Sequence, residues 1–284
     1  MRTRFFRGFR VPLGISLILL GVFLFLPYAA VSETRDARTL LDEVQRLDDG
    51  ERHWRDRTRR MRITIHDRRG GERLRDLSMR TLRDEDPGGR DEKILAVFAS
   101  PPEIRGTSFL QFQHRDRDAD QWLYLPELRR VRKITSSVKH ESFMGTDFSY
   151  RDMELLTDVL EWSSSEAKAR LVGSSTIEGR PAHRIELTPV IRDVGYERIV
   201  VVLTSDDLVL RAMEFYREGD EPVKKLELGR VSDVGRIPTA HEMVMRQPAE
   251  GTHTVVAISD VRYDQGLPEE LFTKRSLERG VDVD

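Results

Sequence analysis

Cysteine is absent from the 284 residues, which excludes disulfides, iron–sulfur clusters, thiolate zinc sites, cysteine nucleophiles and a lipidated N-terminal cysteine. Net charge is nearly absent as well. Lys+Arg 47 against Asp+Glu 49 leaves −2, so the basic footprint on which nucleic-acid binding by charge depends is missing, and no nucleic-acid partner is expected. Glycine (19) and proline (12) are too scarce for a low-complexity or collagen-like chain. Catalytic signatures are missing too. There is no G-x-S-x-G, and no glycine-rich phosphate loop follows a strand. His140-Glu141 and His241-Glu242 open like a zinc-protease helix, but no histidine follows at the required position. Asp116, Asp118, Asp120 and Glu127 partly match a calcium loop. However, Gln121 occupies the position whose sharp turn needs glycine, and the flanks read as strands, so a polar hairpin tip is expected there. These absences together predict no enzyme, no catalytic residues, no metal site and no cofactor.

What is present begins with a composition of 38% hydrophobic and 34% charged residues, soluble and globular in type, on a chain long enough for a sizeable core. Arg2, Arg4, Arg7 and Arg10 precede an uncharged apolar stretch from Val11 to Val31, the pattern of an export signal. Ala30-Val31-Ser32 places small residues at −3 and −1, so residues 1–32 are expected to be a signal peptide cleaved after Ser32; the alternative is an uncleaved N-terminal anchor. Either way the positive-inside rule keeps the arginines in the cytoplasm and exports the rest, 33–284, as a single domain. Loss of four arginines and no acid moves the net charge from −2 to about −6.

Leu40, Leu41, Val44 and Leu47 recur at helical spacing and stop at Gly50, which predicts an amphipathic helix with a glycine beyond its end. From about Arg60 the period becomes two. Met61, Ile63 and Ile65 alternate with Arg62, Thr64 and His66, and twelve further strand candidates follow between 72 and 263, separated by turns such as Arg69-Gly70-Gly71 and Glu178-Gly179-Arg180-Pro181. Short strands joined by tight turns, without the helical crossovers of a parallel sheet, predict an antiparallel sheet that curls on itself. A helix is expected in Ser149–Trp162, with Ser149 as N-cap and Asp152 near N3, and a last short helix is expected to start at Pro268.

The middle strands carry large apolar side chains on both faces: Ile94 to Phe98, Phe109 to Phe112 and Trp122 to Leu125 do not alternate cleanly. Such strands need cover on both sides, a helix on one and a core, partner or ligand on the other. Beside them Phe143 to Tyr150 groups aromatics and Met144 around Gly145. An acyl-chain site is therefore expected among Phe98, Leu110, Phe112, Trp122, Tyr124, Phe143, Met144, Phe148, Met213 and Phe215, with Gly145 as the hinge of a lid.

Three runs carry a resemblance. Phe98 to Leu110 resembles the F-x-x-P-x-x-x-(K/R)-G-T-x-F-L stretch of exported outer-membrane lipoprotein-sorting proteins, as does Trp122 to Ile134. Met144 to Met153 is similar to their G-(T/S)-D-(F/L)-(S/T)-Y-E-D-(L/M) loop, with Arg151 standing where that motif has Glu. Leu267 to Thr273 resembles their ending, and the likeness spans roughly residues 37–279. That group resembles, more distantly, the LolA and LolB lipoprotein carriers. The resemblance implies a mostly β (α+β) fold: an open antiparallel half β-barrel with covering helices, whose concave face holds acyl chains. It further implies a periplasmic carrier for lipid or lipoprotein acyl chains and an inner-membrane RND-type transporter as partner. The alternative it leaves is an envelope-stress sensor or regulatory binding protein of the same fold.

Overall fold

The computed structural model describes residues 36–83, 91–114, 117–190 and 194–280. The expected leader, its cleavage site at Ser32 and the Asp116 position lie outside the described residues. Helix α1 (Ala37–Asp49) starts where the Asp36 carboxylate accepts the Thr39 amide at 2.8 Å, and it buries Leu40, Leu41 and Val44. Gly50 ends it, but at φ −107°, outside the left-handed region; its amide reaches the Arg46 carbonyl at 3.1 Å instead of forming a left-handed cap.

Every segment of period two is a strand. In chain order they are β1 (Asp56–His66), β2 (Glu72–Arg83), β3 (Glu92–Ser100), β4 (Ser108–Gln113), β5 (Asp120–Leu125), β6 (Arg130–Ile134), β7 (Ala167–Ile177), β8 (Arg180–Pro189), β9 (Arg198–Thr204), β10 (Leu210–Tyr216), β11 (Lys224–Val234), β12 (Ile237–Gln247) and β13 (Thr252–Tyr263). They form one antiparallel sheet in the order β6-β5-β4-β3-β2-β1-β13-β12-β11-β10-β9-β8-β7. The sheet is thus two meanders joined at a β1–β13 seam, where Ile63 faces Val256, with β6 and β7 left as unpaired edges. An open sheet with few helices is what the sequence predicted.

This order has a consequence for the connection between β6 and β7. The chain must travel from one edge of the sheet to the other, and it does so through an irregular segment and helix α2 (Tyr150–Asp158). Phe143, Phe148, Tyr150 and Leu155 from that crossing pack into the same apolar cluster as Leu40, Ile63 and Val256, so it runs over the concave face. Helix α2 begins as predicted: the Asp152 amide donates to the Ser149 hydroxyl at 3.0 Å, and the Ser149 amide donates to the Asp152 carboxylate at 2.7 Å. The last helix begins later than expected. Pro268 precedes a single 3₁₀ turn, and α3 spans Lys274–Arg279, because Thr273 supplies the side-chain cap that proline cannot, accepting the Ser276 amide at 3.1 Å.

The two-sided apolar strands have cover on both faces. Residues of one parity (Ile94, Ala96, Phe98, Phe109, Leu123) join the concave cluster. Those of the other parity (Leu95, Val97, Leu110, Trp122) form a second cluster sealed by Phe272 and Leu277 from the C-terminal segment. Among the described residues no helix is long and apolar enough to cross a membrane.

Candidate binding cavity

The concave face is not filled. A cavity of about 320 Å³, at the small end of the range of ligand sites, lies between the β1–β2 and β12–β13 walls and the covering elements α1, α2 and the 143–148 loop. Its apolar wall is built by period-two positions: Met61 and Ile63 from β1, Leu77 and Met79 from β2, Met243 from β12, and Val256 and Ile258 from β13. Its other end is polar. The Trp54 ring there carries two guanidinium groups, Arg83 at 3.8 Å and Arg57 at 4.7 Å from its centroid, and Arg83 donates to Glu92 at 2.6 Å. Arg59 lies on the same wall. Burial, and then the charge of Arg57, pulls its pKa down to about 9, which still leaves it charged at neutral pH.

The roof over the apolar end is a small hairpin. The Phe143 amide donates to the Phe148 carbonyl at 2.7 Å, Ser142 and Ser149 form a bridge, and the Thr146 amide closes onto the Phe143 carbonyl at 3.0 Å. The two central residues of that turn are Met144 (φ 52°) and Gly145 (φ 75°), the positive pair of a type I′ turn. Gly145 therefore serves the turn by its backbone, since a Cβ there would meet nothing closer than Arg75 at 3.5 Å.

Asp147 fastens this hairpin to the sheet. Its carboxylate accepts from Gln247 at 2.8 Å, from Thr254 at 2.6 Å and from Thr252, and its amide donates to the Thr254 hydroxyl at 2.9 Å. The segment expected to swing freely about Gly145 is thus hydrogen-bonded to β12 and β13, because a buried carboxylate needs several donors. Asp152 fastens the next element: it takes 2.7 Å bonds from the Tyr196 hydroxyl and the Ser149 amide, and a 2.6 Å bond from the Lys224 ammonium. Burial and the Asp152 charge push the Tyr196 hydroxyl well above its ordinary value, so it stays a donor. Arg151, which departs from the loop motif, has its charge paired within the chain, although its Nε finds no acceptor. It donates to Glu154 at 2.5 Å and meets Asp118 at 3.3 Å, while Lys139 meets Glu154 from the other side at 2.5 Å.

Of the residues expected to line an acyl site, Phe143 and Phe148 stand in the cavity wall, with Met144 packed beside them. Phe98, Met213 and Phe215 are fully buried in the concave core behind that wall: Phe98 packs 6.2 Å from Phe143, and Phe215 packs 4.9 Å from Tyr196. Leu110, Phe112, Trp122 and Tyr124 belong to the convex cluster under Phe272 and Leu277, away from the cavity. The reason is parity: these four share one face of β4 and β5, opposite to Phe109 and Leu123. Sequence reasoning missed Arg57 and Arg59 because the strand was expected to start at about Arg60, and it placed Met61 and Ile63 on a buried strand face without assigning them to a site. The strand's true start at Asp56 adds Arg57 and Arg59 to the face of Met61 and Ile63.

A family model described as an uncharacterized protein matches residues 90–279. Among solved structures, the chain is similar to a DUF1329 family protein from Desulfovibrio piger (30% identity, TM-score 0.77, 85% of this chain and 98% of that chain covered). It is similar to a domain from Vibrio parahaemolyticus assigned to outer membrane lipoprotein sorting (28% identity, TM-score 0.74, 84% and 97% covered). A LolA superfamily protein from Nitrosomonas europaea shares the fold at 16% identity and TM-score 0.63, over 85% of this chain and 99% of that one. No curated protein matches the sequence.

Proposed function

The chain belongs to the DUF1329 family, and we propose that it is an exported carrier that shelters an acyl chain of a lipid or lipoprotein in its concave cavity. The observation that carries this reading is the unfilled, apolar-walled space on the concave face, roofed by the 142–149 hairpin and α2. A sheet of this size could have filled its concave side with its own side chains, as it does on the convex side under Phe272. Each methylene moved from water into such a wall is worth about 0.8 kcal/mol, so a dozen of them involve roughly 10 kcal/mol. A binding role of this kind needs no covalent chemistry.

Release then requires either an acceptor that binds better or a displacement of the roof, and the Asp147 bonds to β12 and β13 are the contacts that such a displacement breaks. Site of action in the periplasm, removal of residues 1–32 and hand-over to an inner-membrane RND-type transporter complete the proposal. Those three parts rest on the basic leader and on the motif resemblance. The test is native mass spectrometry of the protein taken from its own periplasm. The expected result is a chain beginning near Glu33 with a co-purified lipid whose mass disappears on organic extraction. Bare protein that also ignores added fluorescent fatty acid would overturn the carrier reading.

A further inference from the structure

The cavity wall has a direction. Along β1 the residues facing inward read Arg57, Arg59, Met61, Ile63 and Ile65, so the face changes from cationic to apolar within about 7 Å of strand. Strand β2 repeats the order, with Arg83 beside the arginine end and Met79 and Leu77 further in; Arg59 pairs with Met79, and Met61 with Leu77. The charged groups lining the cavity are Arg52, Arg57, Arg59 and Arg83 against Asp48 and Glu92, with the Tyr263 phenol beside them. Cations therefore exceed acids, and Glu92 is already engaged by Arg83 at 2.6 Å.

Two of these arginines, Arg57 and Arg59, make no close ion pair among the described residues, and Arg59 feels Glu92 only at longer range. The Nε atoms of Arg57 and Arg59 are both shut off from solvent without a hydrogen-bond acceptor. Arg59 reaches only the Met79 sulfur, at 2.8 Å, and a thioether is a weak acceptor; Arg57 lies on the Trp54 ring. A partly desolvated guanidinium without an anion is an expensive arrangement for a wall that could have been apolar throughout. Its planar fork is also the group that best matches a carboxylate or a phosphate. We propose that Arg57 and Arg59 form a headgroup site, so that the molecule held in the cavity is an amphiphile with one anionic headgroup, carboxylate or phosphate, joined to an apolar chain. The fork and the apolar wall are consecutive positions of the same strands, so a headgroup and chain joined in one molecule can occupy both at once. This inference rests on the carrier reading and narrows it.

The experiment uses the full exported chain and displacement of a neutral fluorescent dye by four probes of equal chain length: hexadecanoate, hexadecyl phosphate, hexadecanol and hexadecyltrimethylammonium. Both anions should compete at concentrations about ten-fold lower than hexadecanol, with the cation weakest. Inorganic phosphate without a chain should leave the dye in place. In the Arg57→Met/Arg59→Met double variant the anions should fall to the level of hexadecanol while hexadecanol itself is unchanged, and the variant should stay folded, since it loses the Arg57–Trp54 contact but no ion pair. Anions no better than hexadecanol in the wild-type protein would overturn the headgroup site and leave the carrier standing, and this comparison needs no variant. Retention of the anion preference by the double variant, or displacement by inorganic phosphate at the concentration where hexadecyl phosphate acts, would also overturn it. Failure of all four probes to compete would remove the carrier reading and this one with it.

Discussion

The two faces of strands β1 to β5 are made of the same kinds of residue and put to different uses. On the convex side Leu110, Trp122, Leu95 and Val97 meet Phe272 and Leu277, and the cluster is closed. On the concave side Met61, Ile63, Leu77 and Met79 face a space that their own neighbours do not fill. The convex side is covered by a segment that follows the sheet in the chain and can fold down onto one patch. The concave side is covered by the edge-to-edge crossing, whose hairpin and helix are held at their polar anchors, Asp147 and Asp152, and span the space. Apolar content alone does not separate a core from a container; what covers the face does.

The largest effect should come from the sealed side. Leu110 is fully buried, and Leu110→Asp would place an unpaired charge under Phe272, costing about 4 kcal/mol or more in urea denaturation. A loss below about 1 kcal/mol would mean that the C-terminal cover opens freely. A matched pair then sets the filled core behind the cavity against the roof over it. Phe98→Ala, behind the wall with no exposure, should cost about 3–4 kcal/mol, whereas Phe148→Ala, which already borders empty volume, should cost about 1–2 kcal/mol and enlarge the cavity. Equal costs would show that Phe148 is ordinary core. Next comes the fastening of the roof. Asp147→Ala strands the donors of Gln247, Thr252 and Thr254 and should cost about 2 kcal/mol, with the Phe143 amide exchanging hydrogen faster than amides of β9. Unchanged exchange at Phe143 would mean that the hairpin is held by its turn alone.

The strands were legible because period two survives single-residue inspection: each expected run from 72 to 263 is a strand, and the Ser149–Asp152 box marked α2 by its own local chemistry. The contents of the site were less legible. Phe98 and Leu110 look alike in sequence, but they stand on opposite sides of the sheet, and only the register of β3 against β4, with Leu95 opposite Leu110, separates them. Gly145 suggested a hinge because glycine permits positive φ, yet that freedom is used up by the turn, and the three donors that hold the Asp147 carboxylate, from Gln247, Thr252 and Thr254, lie 100 to 107 positions away. The arginines of β1 were hidden because charged residues are expected outside, so the strand was expected only from about Arg60, which leaves Arg57 and Arg59 out of its inner face.

The smallest effect sharpens the comparison through opposite signs. On the cavity side Asp48 has its pKa raised, by burial first and against the pull of Arg83 and Arg52, with Asp49 and Glu92 adding to the rise. A carboxyl that holds its proton more tightly in the folded state than in the unfolded one favours folding as pH falls, so its penalty at neutral pH disappears through the carboxylate range. On the convex side of the β1–β13 seam His253 stacks on His66 with ring centroids 4.2 Å apart and has its pKa lowered, by burial first, then by His66 and Arg246, with Asp147 opposing. A histidine that resists protonation in the fold contributes nothing above its unfolded pKa and costs stability as pH falls below about 6.5. Acidification from pH 7.5 to 5 should therefore lower Tm in the wild-type protein, and His253→Asn should flatten that fall. Asp48→Asn should be at least as stable as wild type at pH 7, with its advantage closing as pH drops through the carboxylate range. Thermal melts of the three proteins across pH decide it. If His253→Asn leaves the fall between pH 7 and pH 5 unchanged, the seam histidines are not its origin; if Asp48→Asn is destabilised at pH 7, the carboxylate is held by its arginines and the polar end of the cavity carries less excess positive charge than its lining suggests.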